Sequence, residues 1–318
     1  MTTVPIILAI DRNVVMQCGV TLTSLLLNAH RGTFYDIYIL HSQQGLSESE
    51  RDRILAAFPG SDRYQLSFVD TGDAFQESEG LATGHITTAT YYRLAIPALF
   101  PQFESAIYSD IDIIFQDDLS DLFLQTEGDP CLLAAATDFI DLTRMDDTLD
   151  TKQDAGSLKD SYINAGFLVM NLEALRKDEI QSRLHHHASI KYEQNDQDVL
   201  NIVCKDHIRI LPPVYNFQPN QFAHHLWGKK ASGDRFRHLF AQGTLHYTGP
   251  HKPWNSQECV AQDAWWHYYR QSPFYEDAFY FKHIYDQIEA ARNDYRNRSN
   301  SDLLRRFLVN IKRSLVKK

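Results

Sequence analysis

Two aspartates carry the clearest chemical signal in the chain. Asp110 and Asp112 stand one residue apart in Tyr108-Ser109-Asp110-Ile111-Asp112-Ile113-Ile114, with apolar β-formers on both sides. On an extended strand, residues i and i+2 point to the same side. Two carboxylates held side by side repel each other unless a cation or a proton joins them. A hard divalent ion, Mn²⁺ or Mg²⁺, answers that need, because it prefers oxygen ligands and readily bridges to phosphates. The competing reading is a solvated turn between two strands. The apolar flanks weigh against it, since a solvated turn seldom interrupts a buried strand so briefly.

A second group lies far downstream, in His246-Tyr247-Thr248-Gly249-Pro250-His251-Lys252-Pro253-Trp254. A histidine at a strand end can supply a nitrogen ligand to the same ion. Gly249 permits close backbone approach or a positive φ, and Lys252 is a point charge suited to phosphate. Pro250 and Pro253 stiffen the loop, which can fold over a diphosphate. The plain alternative is a core histidine followed by an ordinary Gly-Pro turn. In Asn164-Ala165-Gly166 an amide precedes two small residues and a buried strand. Asn164 can donate to and accept from hydroxyls, or simply close a turn. Asn195-Asp196-Gln197-Asp198 reads as a helix start. Capping and dipole compensation account for Asp198, while Asp196 and Gln197 can face a ligand.

Such residues need a scaffold, and the first half of the chain describes one. Strands are expected at Pro5–Ile10, Asp36–His41, Gln65–Asp70, Ala106–Asp110, Ile113–Phe115 and Leu132–Thr137. Helices alternate with them. Val14–Asn28 has Val15, Cys18, Leu22, Leu25 and Leu26 at helical spacing. Ser47–Phe58 opens with Ser47 and Glu50 as a capping box, and Thr88–Leu99 also reads as helical. The alternation marks an α/β fold with a mostly parallel sheet, whose ligands sit beyond the carboxyl ends of the strands. Asp11, Asp70, Asp110 and Asp138 each follow such an end. Their common edge is expected to face a polyvalent cation or a hydroxyl-rich ligand. The second half is less regular: a strand at Ala165–Leu172, one polar helix at Glu173–Glu193, a helix at Asp198–Cys204, and short strands at Ile208–Leu211 and Leu245–Tyr247.

Composition narrows the classes. The 318 residues are 43% hydrophobic and 23% charged, which excludes disordered and low-complexity chains. No apolar run approaches the roughly 18–20 residues that span a bilayer, and the N-terminus lacks the charged-then-apolar pattern of a secretory leader. Cys18, Cys131, Cys204 and Cys259 form no CxxC pair, which argues against a zinc ribbon or a thioredoxin-like centre. Buried thiols in a reducing cytoplasm are the expectation. A net charge of −10 argues against a nucleic-acid partner.

The charge is uneven. Residues 299–318 hold six basic side chains (Arg305, Arg306, Lys312, Arg313, Lys317, Lys318) against Asp302, with apolar residues at helical spacing. That amphipathic tail suits an anionic membrane surface. The alternative is a helix packed on its own domain. Three consecutive histidines, His185-His186-His187, point in three directions on a helix and cannot collect on one ion, so they read as a solvated face. The aromatic stretch around Trp265, Trp266, Tyr268 and Tyr269 reads as core packing ahead of sugar stacking. A linker is expected at Asn293–Ser301.

Taken in order, LAIDRN, ITTATYYRL, YSDIDIIF, NAGFLVMNL, NDQDVLN and HYTGPHKPW resemble glycosyltransferase family 8, over about Val4 to Trp254. That family comprises retaining, UDP-sugar-dependent transferases with a glycogenin-like fold. Within it, Ile10–Asn28 and the HYTGPHKPW region look most like bacterial enzymes that build the lipopolysaccharide core. The resemblance implies a single GT-A type nucleotide-sugar-binding domain over 1–255, an aromatic-rich helical extension over 256–298 and the basic tail over 299–318. It implies that Asp110, Asp112 and His246 hold Mn²⁺, or Mg²⁺. Ala9, Asp11 and Asn13 match the segment that holds uracil and ribose, and Arg93 matches the arginine near the donor sugar. Ile111 falls within the donor-binding stretch. Asp138, Asn164, Asp196 and Gln197 match residues lining the hexose, and Gly249 and Lys252 match the diphosphate loop. Val14 departs from the pattern, standing where some members stack an aromatic ring on the base.

The implied reaction moves glucose or galactose from its UDP-sugar to a saccharide acceptor. A lipid-linked acceptor would place the enzyme peripherally on the inner face of the plasma membrane. Gln197 falls near the anomeric carbon and an amide is a poor nucleophile. Retention by front-face attack is therefore favoured, with Asp196 as the rival nucleophile. Two other functions fit part of the sequence. One is a non-catalytic UDP-sugar-binding module. The other is a metal-dependent phosphoesterase, which would not need the HYTGPHKPW loop.

Overall fold

The computed structural model describes residues 1–72, 88–138, 162–226, 238–293 and 295–296. Seven strands form the central sheet: β1 (Thr2–Ala9), β2 (Thr33–His41), β3 (Tyr64–Asp70), β4 (Ser105–Ser109), β6 (Leu133–Thr137), β7 (Ile163–Asn171) and β8 (Ile208–Ile210), in the order β3-β2-β1-β4-β7-β6-β8. Every neighbouring pair is parallel except those made by β7, which runs against β4 and β6. The α/β reading with a mostly parallel sheet therefore holds. β1, β3, β4 and β6 all end on one edge, so Asp11, Asp70, Asp110 and Asp138 share it.

The strands are apolar because both faces are covered. Along β1 the pleat sends Ile7 into one buried cluster, with Tyr108, Leu168 and Met170. It sends Ile6 and Leu8 into the other, with Leu22, Ile107 and Phe167. The second cluster is roofed by α1 (Val15–Leu27), reached through a 3-10 turn at Arg12–Val14. The capping box of α2 (Glu48–Ala57) forms as expected, with Ser47 and Glu50 each accepting from the other's backbone amide.

Two strands stand apart. β5 (Ile113–Phe115) and β9 (Thr244–His246) pair antiparallel in a small sheet of their own, with Ile113 opposite His246. The outer side of β5 is completed by side chains. Thr21 Oγ1 donates to Ile111 O (2.6 Å) and Ile113 O (3.0 Å), and Asn28 Nδ2 donates to Phe115 O (2.9 Å). Phe115 N donates to Ser24 Oγ (3.0 Å). Polar side chains of α1 and its C-cap Asn28 thus act as a missing strand.

Several expectations change. The polar helix foreseen over Glu173–Glu193 is two helices, α5 (Leu172–Leu175) and α6 (Asp178–Ala188), because Asn171 accepts from Ala174 N to cap the first and the chain turns at Arg176-Lys177. Thr88–Leu99 opens as a 3-10 turn, Thr88–Tyr91, before α3 (Tyr92–Leu99), and α4 (Ser120–Thr126) follows β5. The linker expected from Asn293 is entered by a helix, residues 277–293, with Tyr295 and Arg296 also helical. The rest of that linker, and the tail over 299–318, lie outside the described residues. The triple histidine sits on α6, His185 and His186 exposed and His187 hydrogen-bonded to Tyr192 Oη (2.7 Å). The aromatic stretch is core. Trp265, Trp266, Tyr268 and Tyr269 pack in one cluster with Val20, Ile114 and Phe217. Phe274 sits so close to α1 that a Cβ on Gly19 would lie 2.2 Å from its ring.

The pinning of β5 gives a direct test. Thr21→Val keeps the shape but leaves two carbonyls without a donor, which costs about 1–3 kcal/mol. Urea denaturation should show that loss, with Thr21→Ser retaining most of the wild-type stability.

Candidate active site

The chain leaves β4 at Ser109 and enters β5 at Ile113, so Asp110-Ile111-Asp112 forms a turn at the sheet edge. This corrects the extended-strand picture of the two aspartates. The turn is not solvated, however: the Asp110 and Asp112 side chains are only 26% and 15% exposed. Its backbone is tied on both sides. Asp110 N donates to Gly166 O (2.7 Å), and Tyr247 N donates to Asp112 O (3.0 Å), extending the β5–β9 ladder. The ladder sets the buried His246 beside the acids. Its Nε2 lies 3.2 Å from Asp112 Oδ1 and 3.9 Å from Asp110 Oδ2.

Each acid is gripped on its other oxygen. Asp110 Oδ1 accepts from Arg93 Nη2 (2.9 Å) and Tyr108 Oη (2.7 Å), turning Oδ2 toward His246. Asp112 Oδ2 accepts from Lys252 Nζ (2.5 Å), which also donates to Tyr247 O (2.6 Å). Burial opposes ionisation of Asp112, yet Lys252 and His246 beside it hold its carboxyl well below the usual range. Asp110, Asp112 and His246 each offer one ligand atom, and these atoms lie within 4.8 Å of one another. Two carboxylates and an imidazole suit a divalent ion. Gly166 keeps the space: a Cβ there would fall 2.2 Å from His246 Cε1 and 2.9 Å from Asp110 Oδ2.

Arg93 is the hub of the next layer. It is buried, lies over the Tyr108 ring at 4.6 Å, and donates to Ala165 O. Its Nε comes 2.8 Å from Asp196 Oδ2. Burial disfavours its charge, but Asp110 and Asp196 outweigh that and keep it protonated. Burial also pushes the Asp196 carboxyl up to about 7, with Arg93 opposing.

Beside this hub runs a chain of amides. His246 Nδ1 meets Asn216 Oδ1 (2.9 Å), and Asn216 Nδ2 donates to Asn164 Oδ1 (2.9 Å). Asn164 Nδ2 donates to Gln197 Oε1 (3.2 Å), and Gln197 Nε2 donates to Asp138 Oδ2 (2.6 Å). The structure thus brings together Asp138, Asn164 and Gln197, three residues singled out from sequence. Asn164 lies inside β7 and closes no turn. Asp196 and Gln197 open α7 (Asp196–Val203), and Asp198, an acid in its first turn, caps no helix amide but accepts from Gln194 N (2.7 Å) and Tyr162 Oη (2.5 Å).

The other sequence candidates fall into place less directly. Ala9 ends β1, and Asp11 caps the following turn by accepting from Asn13 N (2.8 Å). Asp70 likewise serves its own turn, accepting from Gly72 N (2.9 Å). The Ile111 carbonyl is engaged by Thr21. Gly249 has φ 79°, the left-handed backbone anticipated for it. Lys252, expected to serve a phosphate, sits on Asp112. Sequence reasoning missed Asn216 and the Tyr108 hydroxyl. Tyr108 stands two residues from Asp110, at strand spacing, which was a usable signal. Nothing near Asn216 tied it to His246.

A profile of glycosyl transferase family 8 matches residues 5–258. The chain belongs to glycosyl transferase family 8. General stress protein A of Bacillus subtilis is 25% identical to it over 271 residues, 81% of this chain and 90% of that one. A lipopolysaccharide 1,2-glucosyltransferase of Escherichia coli is 26% identical over 263 residues, 77% of this chain and 71% of that one. The chain spans about half the length (53% and 51%) of two other glycosyltransferase relatives. The crystal structure of the galactosyltransferase LgtC with donor and acceptor sugar analogues superposes with a TM-score of 0.67 at 23% identity, covering 86% of this chain and 98% of that one. This likeness carries the GT-A type fold. The family 8 chain is thus a glycosyltransferase by family, related to enzymes of lipopolysaccharide synthesis.

The Asp196 carboxyl supplies a pH test. Its folded pKa, raised to about 7, lies above the ordinary value of 3.8. Between those values the folded chain binds more protons than the unfolded one, so this group erodes stability as pH rises from about 4 to about 7. Asp196→Asn should flatten that part of the melting temperature against pH. An unchanged slope would contradict the assignment.

Proposed function

We propose that this family 8 protein is a metal-dependent, retaining hexosyltransferase. It would move galactose or glucose from the UDP-sugar to a saccharide acceptor, in the synthesis of lipopolysaccharide or another surface glycan. One observation carries the reading: Asp110, Asp112 and His246 converge at the carboxyl edge of the sheet, where such folds bind ligands. The mixed oxygen and nitrogen donor set fits Mn²⁺, with Mg²⁺ as the second choice because it favours oxygen ligands alone. When bound, the ion would act as a Lewis acid toward the charge that builds on the departing diphosphate.

The chain's own residues divide the remaining work. Lys252 brings an ammonium to the same place, so charge neutralisation can replace a protonating acid. Gly249 and its neighbours give that loop the turn it needs to approach a diphosphate. Ala9, Asp11 and Asn13, at the end of β1, would meet uracil and ribose. Arg93, Asp138, Asn164, Asp196 and Gln197 would line the hexose. Gln197 Oε1 accepts from both Ala165 N (3.0 Å) and Asn164 Nδ2, so its lone pairs are engaged and cannot attack carbon. This favours front-face attack by the acceptor, whose proton would pass to the diphosphate. Asp196, paired with Arg93, is the rival nucleophile. The relatives leave both hexoses in play, since one is named a glucosyltransferase and the other a galactosyltransferase.

A UDP-release assay with UDP-glucose and UDP-galactose, Mn²⁺ and a panel of saccharides tests this reading. Acceptor-dependent release should vanish with EDTA and fall about 10²–10³-fold in kcat for Asp110→Asn. Release that ignores the acceptor would mark a phosphoesterase, and binding without release a non-catalytic module.

The basic tail over 299–318 would set the enzyme on an anionic membrane surface, where a lipid-linked acceptor is displayed. Among the described residues, no helix is long and apolar enough to cross a membrane. Deleting 299–318 should abolish cosedimentation with anionic liposomes while leaving transfer to a soluble acceptor intact. Undiminished cosedimentation removes the membrane proposal.

A further inference from the structure

Asn216 is fully buried and follows the 3-10 turn Pro213–Tyr215. Two backbone bonds lock its neighbour to β9: Phe217 N donates to Thr244 O (3.1 Å), and His246 N donates to Phe217 O (2.8 Å). Asn216 is therefore held beside His246 by main chain, whatever its own side chain does. Its side chain bridges His246 Nδ1 and Asn164 Oδ1.

The direction of that bridge is set from outside it. A backbone N–H can only donate. Gly166 N donates to Asn164 Oδ1 (3.0 Å), which fixes which end of the Asn164 amide is oxygen. Asn216 must then turn its NH₂ toward that oxygen and its own Oδ1 toward His246. Ala165 N, one residue earlier on β7, orients Gln197 in the same way (3.0 Å), and Asp138 accepts at the far end. Two consecutive main-chain amides thus polarise the whole chain from His246 to Asp138. An oxygen opposite Nδ1 requires a proton on Nδ1. The lone pair of a neutral imidazole is then on Nε2, the nitrogen facing Asp110 and Asp112.

We infer that Asn216 is a positioning residue: locked by Gly166 through Asn164, it holds His246 in the tautomer that offers Nε2 to a divalent ion. The inference rests on the metal-binding reading above. It adds a residue that no spacing singled out, and it links the metal side of the site to the side assigned to the hexose.

The test titrates Mn²⁺ alone into the full chain by calorimetry. Asn216→Leu should weaken Mn²⁺ binding about 10–100-fold. Asn216→Asp keeps an acceptor for Nδ1–H but removes the donor to Asn164 Oδ1, so its loss should fall between wild type and Asn216→Leu. Asp112→Asn serves as the control. If wild type fails to bind Mn²⁺, or Asp112→Asn binds as tightly, the metal reading falls and the inference with it. If that control behaves but Asn216→Leu binds like wild type, or Asn216→Asp loses as much as Asn216→Leu, the inference alone is overturned. A ¹⁵N spectrum of the histidine rings in Mn²⁺-free wild type, in mildly alkaline buffer, needs no variant to fold. It should show Nδ1 of His246 protonated, and a bare Nδ1 overturns the assignment.

Discussion

Everything at this site answers one constraint: the repulsion between the carboxylates of Asp110 and Asp112 on a half-buried turn. Apart from their surroundings, two such groups would part or take up a proton. Here each is pulled from its outer side, Asp110 by Arg93 and Tyr108, Asp112 by Lys252. Their inner oxygens are left facing one imidazole. With Asp196 ionised, three carboxylates confront the two fixed cations Arg93 and Lys252. A divalent ion added to that set tips the local charge from negative to positive. A diphosphate then has an electrostatic reason to enter, and the acids alone would have repelled it.

Holding the turn takes rigid parts from distant stretches of chain. β7 contributes Gly166, whose carbonyl accepts from Asp110 N and whose missing side chain leaves room for His246. The helix α1 and its C-cap Asn28 contribute two hydroxyls and an amide that stand in for a strand beside β5. β9 contributes His246 itself. No loop flexibility is needed to bring the ligands together, which lowers the entropy cost of closing the site around an ion. The aromatic cluster around Trp265 backs this arrangement by packing against Ile114 of β5.

The site is also asymmetric in its chemistry. On one side, charges are paired at short range in low dielectric, where each is worth much more than in water. On the other, Asn216, Asn164 and Gln197 carry hydrogen bonds in a single direction, ending on the carboxyl of Asp138. Neutral amides can line a sugar without setting a competing charge beside the reacting carbon. They also place no strong nucleophile in the middle of the chain.

The sequence alone determined the elements and much of the cast. The apolar runs of β1 and β2, the helical spacing of α1 and the capping box of α2 are products of near neighbours, so periodicity encodes them. Motif order also named Asp110, Asp112, His246, Asn164 and Gln197. It misjudged the backbone between Asp110 and Asp112, reading strand where there is a turn. It also ran α5 and α6 together, because polar helical residues continue across the turn at Arg176-Lys177. Only the tertiary structure decided that β5 pairs with β9, that Lys252 neutralises Asp112, and that Asn216 orients His246. Those contacts join residues 30 to 140 positions apart. Local preference falls off within a few residues, whereas burial and charge pairing act through space, so the pairing of distant strands had to come first.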